Sequence, residues 1–377
     1  MKHRAFVITL ISSLIILSSV VSAQNDTISD HTPREQAVGD AQMLTTIEPR
    51  ADFITLSPDQ TLLFASYSKQ KSYHPHNQGW LKVWRLNSGH SLLVWEWRLS
   101  GYSINQMAVS PDGQTLAAVC SDAATRLWHA QTSKFLRAIR PARPDAPGKR
   151  APATTVAYAP DGQTLAIGGG VNKPANADPQ DPNSQSMIQL LSARTTRLQH
   201  TFFVLGDPAV MRFAPDSRRI AIGCYTSIEN QVAGRRAWGA GGYVGLWDAA
   251  TGQQGSRLQK SEFYQMMVPG LFFSSDGSVL GAVGAELALL WNVADGSIRT
   301  RPNIGGANRP GSVALSGDGK LVAIGSGVGI RIYDAQSGEL QQTLVAKGYI
   351  TFIAFSRDNI HLIAADFQGA VRSWQVK

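Results

Sequence analysis

INQMAVSPDGQTLAAVCSDAATRLWHAQTS, residues Ile104 to Ser133, is the stretch on which the fold turns, because the chain repeats its pattern from end to end. It opens with the apolar run Met107-Ala108-Val109 and turns through Ser110-Pro111-Asp112-Gly113. It becomes apolar again at Leu116-Ala117-Ala118-Val119 and closes on Arg126-Leu127-Trp128. Proline at the second place of a type I turn presets φ, aspartate at the third can bond its own backbone, and glycine at the fourth relieves the exit. The stretch therefore reads as strand, tight turn, strand, short gap and a third strand ending in Trp.

The apolar-then-turn signal recurs at seven places. The copies are Leu56-Ser57-Pro58-Asp59, Val109-Ser110-Pro111-Asp112, Tyr158-Ala159-Pro160-Asp161, Phe213-Ala214-Pro215-Asp216, Phe273-Ser274-Ser275-Asp276, Leu315-Ser316-Gly317-Asp318 and Phe355-Ser356-Arg357-Asp358. Aspartate stands in every copy and proline does not, so the turn needs the carboxylate more than the ring. Six copies carry an aromatic at the end of the third strand: Trp84, Trp128, Trp247, Trp291, Tyr333 and Trp374, with Leu191 in the remaining one. Successive turn aspartates lie 53, 49, 55, 60, 42 and 40 residues apart. A period of about 40 that only ever stretches marks a β-propeller in which each repeat supplies one four-stranded blade.

At these residues the chain resembles the WD-repeat propeller family, in a divergent, bacterial-type form. Trp247-Asp248 in VGLWDAATGQ and Tyr333-Asp334 in IRIYDAQSGE match that family's third-strand ending and following turn most closely. The resemblance runs from about Met43 to Val376 and implies an all-β, seven-bladed propeller of four-stranded antiparallel blades. No copy carries the Gly-His pair that the family often places before the first strand, so the His-Asp-Ser-Trp network is not carried over. Propellers host many activities, and the resemblance specifies the fold more closely than the function.

Composition agrees with a globular chain: 43% hydrophobic and 16% charged residues over 377 positions. A mean hydropathy of −0.11 argues against a multi-span membrane protein. Met1 to Ala23 differs, with Lys2, His3 and Arg4 ahead of an apolar run and Val21-Ser22-Ala23 offering small residues for cleavage. It reads as a secretory signal peptide, or alternatively as a membrane anchor through residues 5–21, and both readings place the propeller outside the cytoplasm. Removing it takes Lys2 and Arg4 away and lowers the formal charge from +8 to +6. Residues 24–40 are polar and aperiodic and read as a linker. The final repeat ends at its third strand, which leaves its blade one strand short. The strand-like segment Met43 to Ile47 is expected to supply the missing outer strand and close the ring, with residues 41–377 as the propeller.

Cys120 and Cys224 occupy the same place in repeats two and four, at the end of the second strand, with a whole blade between them. Two buried free thiols are expected, since a disulfide needs Cα atoms within about 7 Å. The copies differ most at four interruptions. Three fall between second and third strands, at Tyr67 to Gly79, Gly168 to Ser186 and Cys224 to Gly242. The fourth, Ile139 to Pro152, joins repeats two and three. Strand alternation sends all four to one face of the disc, and loops on a rigid scaffold are where binding residues live.

Those loops are basic and aromatic. The segment IRPARPDAPGKRAP holds Arg140, Arg143, Lys149 and Arg150 against one Asp145, and its prolines favour an extended ridge. The repeat-four loop offers Arg235, Arg236 and Trp238 among glycines, a set able to grip a carboxylate, phosphate or sulfate while the indole stacks. His74-Pro75-His76 lacks a third ligand, and Asp178 and Asp181 lack calcium-loop spacing, so no metal is assigned. Arg212 is the oddity of the first strands, where its counterparts are Thr55, Ala108, Ala157, Phe272, Ala314 and Ala354. Such a cation must reach a carboxylate, the central channel or a water-filled gap.

No nucleophile–base pair, paired carboxylates or phosphate-cradling loop stands out, and no catalytic residue or cofactor is assigned. Gly168-Gly169-Gly170 precedes a proline-rich tract and not a helix, so it is no dinucleotide site. The expectation is a non-enzymatic, monomeric exported scaffold, secreted or periplasmic, that binds a protein or an anionic envelope polymer through the loop-rich face of blades one to four. Nucleic acid does not fit that compartment, and a membrane enters only if the leader stays uncleaved. The alternative is a propeller hydrolase, lyase or quinone-type oxidoreductase with its site at the channel mouth.

Overall fold

Each repeat forms one antiparallel four-stranded sheet, and seven such sheets hold the twenty-eight strands of the computed structural model. The structure describes residues 41–46, 51–69, 78–87, 90–140, 153–172, 185–232, 235–258, 270–284, 288–302, 312–326, 329–346 and 348–376. The inner strands of blades one to seven are Phe53–Leu56, Ile104–Val109, Ala153–Tyr158, Asp207–Phe213, Gly270–Phe273, Ser312–Leu315 and Ile350–Phe355.

The turn after each inner strand explains why its aspartate never varies. In all seven copies the Asp Oδ1 accepts the backbone N–H two residues on, at 2.9 to 3.1 Å. In the five copies with Ser two residues earlier, the Ser Oγ donates to the same Oδ1 at 2.5 to 2.6 Å. That Oγ also accepts the N–H that opens the second strand, at 2.8 to 2.9 Å. Proline takes part in none of these bonds.

The residue after the aspartate is left-handed in every copy: Gly113, Gly162, Gly277 and Gly319, but also Gln60, Ser217 and Asn359. A non-glycine there costs about 1 kcal/mol. Each of the three reaches back to the preceding blade in return. Gln60 Nε2 donates to Phe355 O at 2.6 Å, Ser217 Oγ accepts the Asp161 N–H at 3.0 Å, and Asn359 Oδ1 accepts the Gly317 N–H.

The core lies between blades and not within them. Seven apolar clusters fill the seven gaps, each drawn from two neighbouring blades. The third-strand residue of every blade sits in the gap toward the preceding one, and Trp84, Trp128, Leu191, Trp247, Trp291, Tyr333 and Trp374 are all buried. Trp247, for example, stacks on Phe202 of blade three with ring centres 6.2 Å apart. Gly245 makes this possible, because a Cβ there would lie 2.5 Å from the indole. Emptying one such site costs about 3–5 kcal/mol. Cys120 and Cys224 form no disulfide and are buried in different gaps, the first between blades one and two and the second between three and four. Burial pushes the Cys120 thiol up to about 11.

Ring closure follows the expectation, one residue earlier. The strand Gln42–Thr46 pairs antiparallel with Ala370–Gln375, from Gln42↔Ser373 to Thr46↔Ala370, and completes blade seven. Ile47 lies outside the described residues. Leu44 packs with the cluster between blades seven and one.

Candidate binding face and central channel

Turns after the inner strands touch one another around the ring, as the Gln60, Ser217 and Asn359 bonds require. The inner strands therefore all run the same way, and these turns form one face. Connections from second to third strands, and from each blade to the next, open on the other.

That second face carries the departures from the repeat. In blade two the second and third strands pair only to Val119↔Thr125 and turn through Ser121-Asp122-Ala123-Ala124. Blade one pairs on to Lys69↔Gln78 and blade three to Asn172↔Gln185, and the intervening residues 70–77 and 173–184 lie outside the described residues. His74, His76, Asp178 and Asp181 fall there.

Blade four corrects the sequence reading. The segment Cys224 to Gly242 is no loop but a continuation of the two strands Arg219–Val232 and Arg235–Asp248. Cys224 accordingly sits within its strand and not at its end. Eight further pairs, from Tyr225↔Gly242 to Val232↔Arg235, carry a β-ribbon about 25 Å beyond the ordinary turn at 3.3 Å per residue. Arg235 and Arg236 stand at its tip, opposite Val232 and Gln231, and Trp238 pairs with Glu229.

Of the basic ridge, exposed Arg140 follows the outer strand Phe135–Ile139 of blade two, while Arg143, Lys149 and Arg150 lie outside the described residues. Arg140 is close enough to the blade-two turn for its charge to act on Asp122. There the sequence reading missed a built cluster. Arg126 donates to both oxygens of Asp122, at 2.7 and 2.6 Å, and its guanidinium lies 3.6 Å from the centre of the Tyr102 ring. The Arg126 bonds hold the Asp122 carboxyl below its usual value against the opposing effect of burial, with Arg140 adding to them. Blade seven repeats the device, with Arg372 Nη1 donating to buried Asp366 at 2.6 Å. The signal was an Asp in the turn followed by Arg two places before the aromatic, Arg126 with Trp128 and Arg372 with Trp374. Trp128 Nε1 has no hydrogen-bond partner among the described residues, in keeping with the absent histidine network.

The inner strands of all seven blades surround a central channel of about 820 Å³. Polar and apolar groups share its lining, and its charged members are Asp52 and Arg212. Arg212 thus reaches the channel. Among the described residues it makes no ion pair, and Nη1 donates to Met211 O at 2.9 Å. The guanidinium meets solvent only inside the channel. The residue is exposed to the solvent of the channel, and partial desolvation by the surrounding walls holds its pKa below the usual arginine value. Its counterpart Phe272 avoids the channel by folding over Gly281, where a Cβ would collide with the ring. No group of three or more His, Cys, Asp or Glu that could hold a metal occurs among the described residues.

A ring of seven blades around a small channel, with extensions on one face, defines a β-propeller platform. The family model described as WD domain, G-beta repeat matches residues 91–129. These residues run from the outer strand of blade one through the third strand of blade two, so the sequence repeat is offset from the blade by one strand. The same offset makes the first described strand of the chain the outer strand of the last blade. The chain is a seven-bladed β-propeller in which residues 91–129 are similar to a WD repeat, and propellers built of such repeats commonly mediate protein interactions. No curated protein matches the chain.

Proposed function

We propose that the chain is an exported, non-enzymatic scaffold that captures a protein or an anionic envelope polymer on the face bearing the blade-one to blade-four extensions. The observation that carries this reading is the one-sided departure from the repeat, above all the ribbon of blade four with Arg235 and Arg236 at its tip. Positions common to all blades are committed to turns and inter-blade packing, so what differs is free to recognise a partner. Arginine suits carboxylate, phosphate and sulfate groups through paired N–H donors. Export rests on the leader-like sequence of Met1 to Ala23.

The test is capture from an extract of the exported compartment by the full chain and by a variant carrying Arg143→Glu, Arg150→Glu, Arg235→Glu and Arg236→Glu. Capture is expected to fall about tenfold or more while the melting temperature holds, as recognition by these charges and not folding is what the variant removes. Equal capture by both proteins would remove the basic residues from the account.

A further inference from the structure

We infer that Arg212 makes the central channel a binding site for a small organic anion, a carboxylate- or phosphate-bearing molecule whose apolar body lies along the inner strands. Small-ligand sites are enclosed, mostly apolar cavities of about 300–1,000 Å³ with a few polar groups that fix orientation. At about 820 Å³ the channel falls within that size range, with Ile54, Met107, Val156 and Leu271 on its walls beside polar groups such as Thr55, Gln106 and Ser312.

The charge distribution gives it a direction. Arg212 is the next-to-last residue of its inner strand, near the turn face, whereas Asp52 immediately precedes the inner strand of blade one, at the opposite mouth. Asp52 and Thr55, the blade-one counterpart of Arg212, lie three residues apart, about 10 Å along a strand. The guanidinium is therefore the charged group at its own end of the cavity, and its N–H donors other than the one to Met211 O have no protein acceptor among the described residues.

Arg212 also has no evident structural purpose. Ala occupies the matching place in four other blades, at Ala108, Ala157, Ala314 and Ala354, each paired to the second strand in the same register. Open to the channel and without a counter-ion, the guanidinium is available to a ligand there. An anion supplied from solution would give it the acceptors it lacks, in paired N–H···O geometry. An acidic side chain of a protein partner is the weaker candidate, because the cavity extends along the inner strands well beyond Arg212 and a lone carboxylate would not fill it.

The experiment is calorimetric titration of the full chain with inorganic phosphate and with benzoate, alongside Arg212→Ala, Arg212→Lys and an acidic decapeptide. Saturable binding of at least one small anion is expected, weakened about tenfold or more in Arg212→Ala and less in Arg212→Lys. The melting temperature of Arg212→Ala should equal or exceed that of the parent, since alanine restores the residue used elsewhere in the ring. Absence of saturable binding by both small anions, equal binding by Arg212→Ala, or binding of the decapeptide alone would overturn the proposal. So would a lowered melting temperature in Arg212→Ala without loss of binding, which would mark the arginine as a structural residue.

Discussion

The turn aspartates are short-range devices whose bonds act on their ionisation. Ser274 Oγ is the largest influence on Asp276, and with the Ser278 donors it brings the carboxyl down to about 2 from the ordinary 3.8. Ser316 and Ser356 act likewise as the main cause at Asp318 and Asp358. At Asp59 burial pushes upward but is outweighed by the bonds from Ser57 and Thr61. A carboxyl with a folded pKa below its unfolded one stabilises the fold above the unfolded value and loses that contribution as the pH falls through the folded one. The midpoint of urea unfolding should therefore be insensitive to these groups above pH 5 and fall between about pH 4 and 2. Ser274→Ala should make that fall shallower, and a fall of unaltered steepness would count against the Ser–Asp bond as its cause. The invariant Asp was legible in the sequence because its chemistry is local. The left-handed Gln60, Ser217 and Asn359 were not, because what offsets their strain is a bond to another blade. Arg212 was legible as an anomaly but not as a channel residue, since every explanation of it required knowing what lay around the inner strand.

Among elements, the ribbon of blade four departs furthest from the repeat. Its second half, Ala233 to Gly242, is glycine-rich and reads as a loop, while the β-forming Tyr225, Thr226, Ile228 and Val232 on the other arm gave the contrary signal. Pairing of the two arms decides the matter, and pairing is not visible in either arm alone. The gap between blades three and four draws on Cys224 and Tyr243, at the base of the ribbon. Replacing residues 225–242 with Ser-Asp-Ala-Ala, the turn of blade two, should leave the melting temperature within about 3 °C, the effect of roughly 2 kcal/mol on a chain of this size. Partner capture should drop with it. A large loss of stability would assign the ribbon to the fold and not to recognition.

At the scale of the whole molecule, blade number and ring order were legible because the repeat is written seven times, and closure because the last copy ends a strand early. Removal of residues 41–48 tests that closure. It strips the outer strand from blade seven and Leu44 from the neighbouring gap, and should lower the melting temperature by roughly 5–10 °C. An unchanged melting curve would contradict a structural role for the strand. The clasp has a further consequence for the life of the chain. The strand Gln42–Thr46 is made long before Ala370–Gln375 and must wait for it, unpartnered, so a polypeptide stalled or clipped before Ala370 leaves bare hydrogen-bonding edges on the early strand and on blade seven. Such a product advertises its own incompleteness to chaperones and proteases, and only a polypeptide that reaches Gln375 covers the early strand.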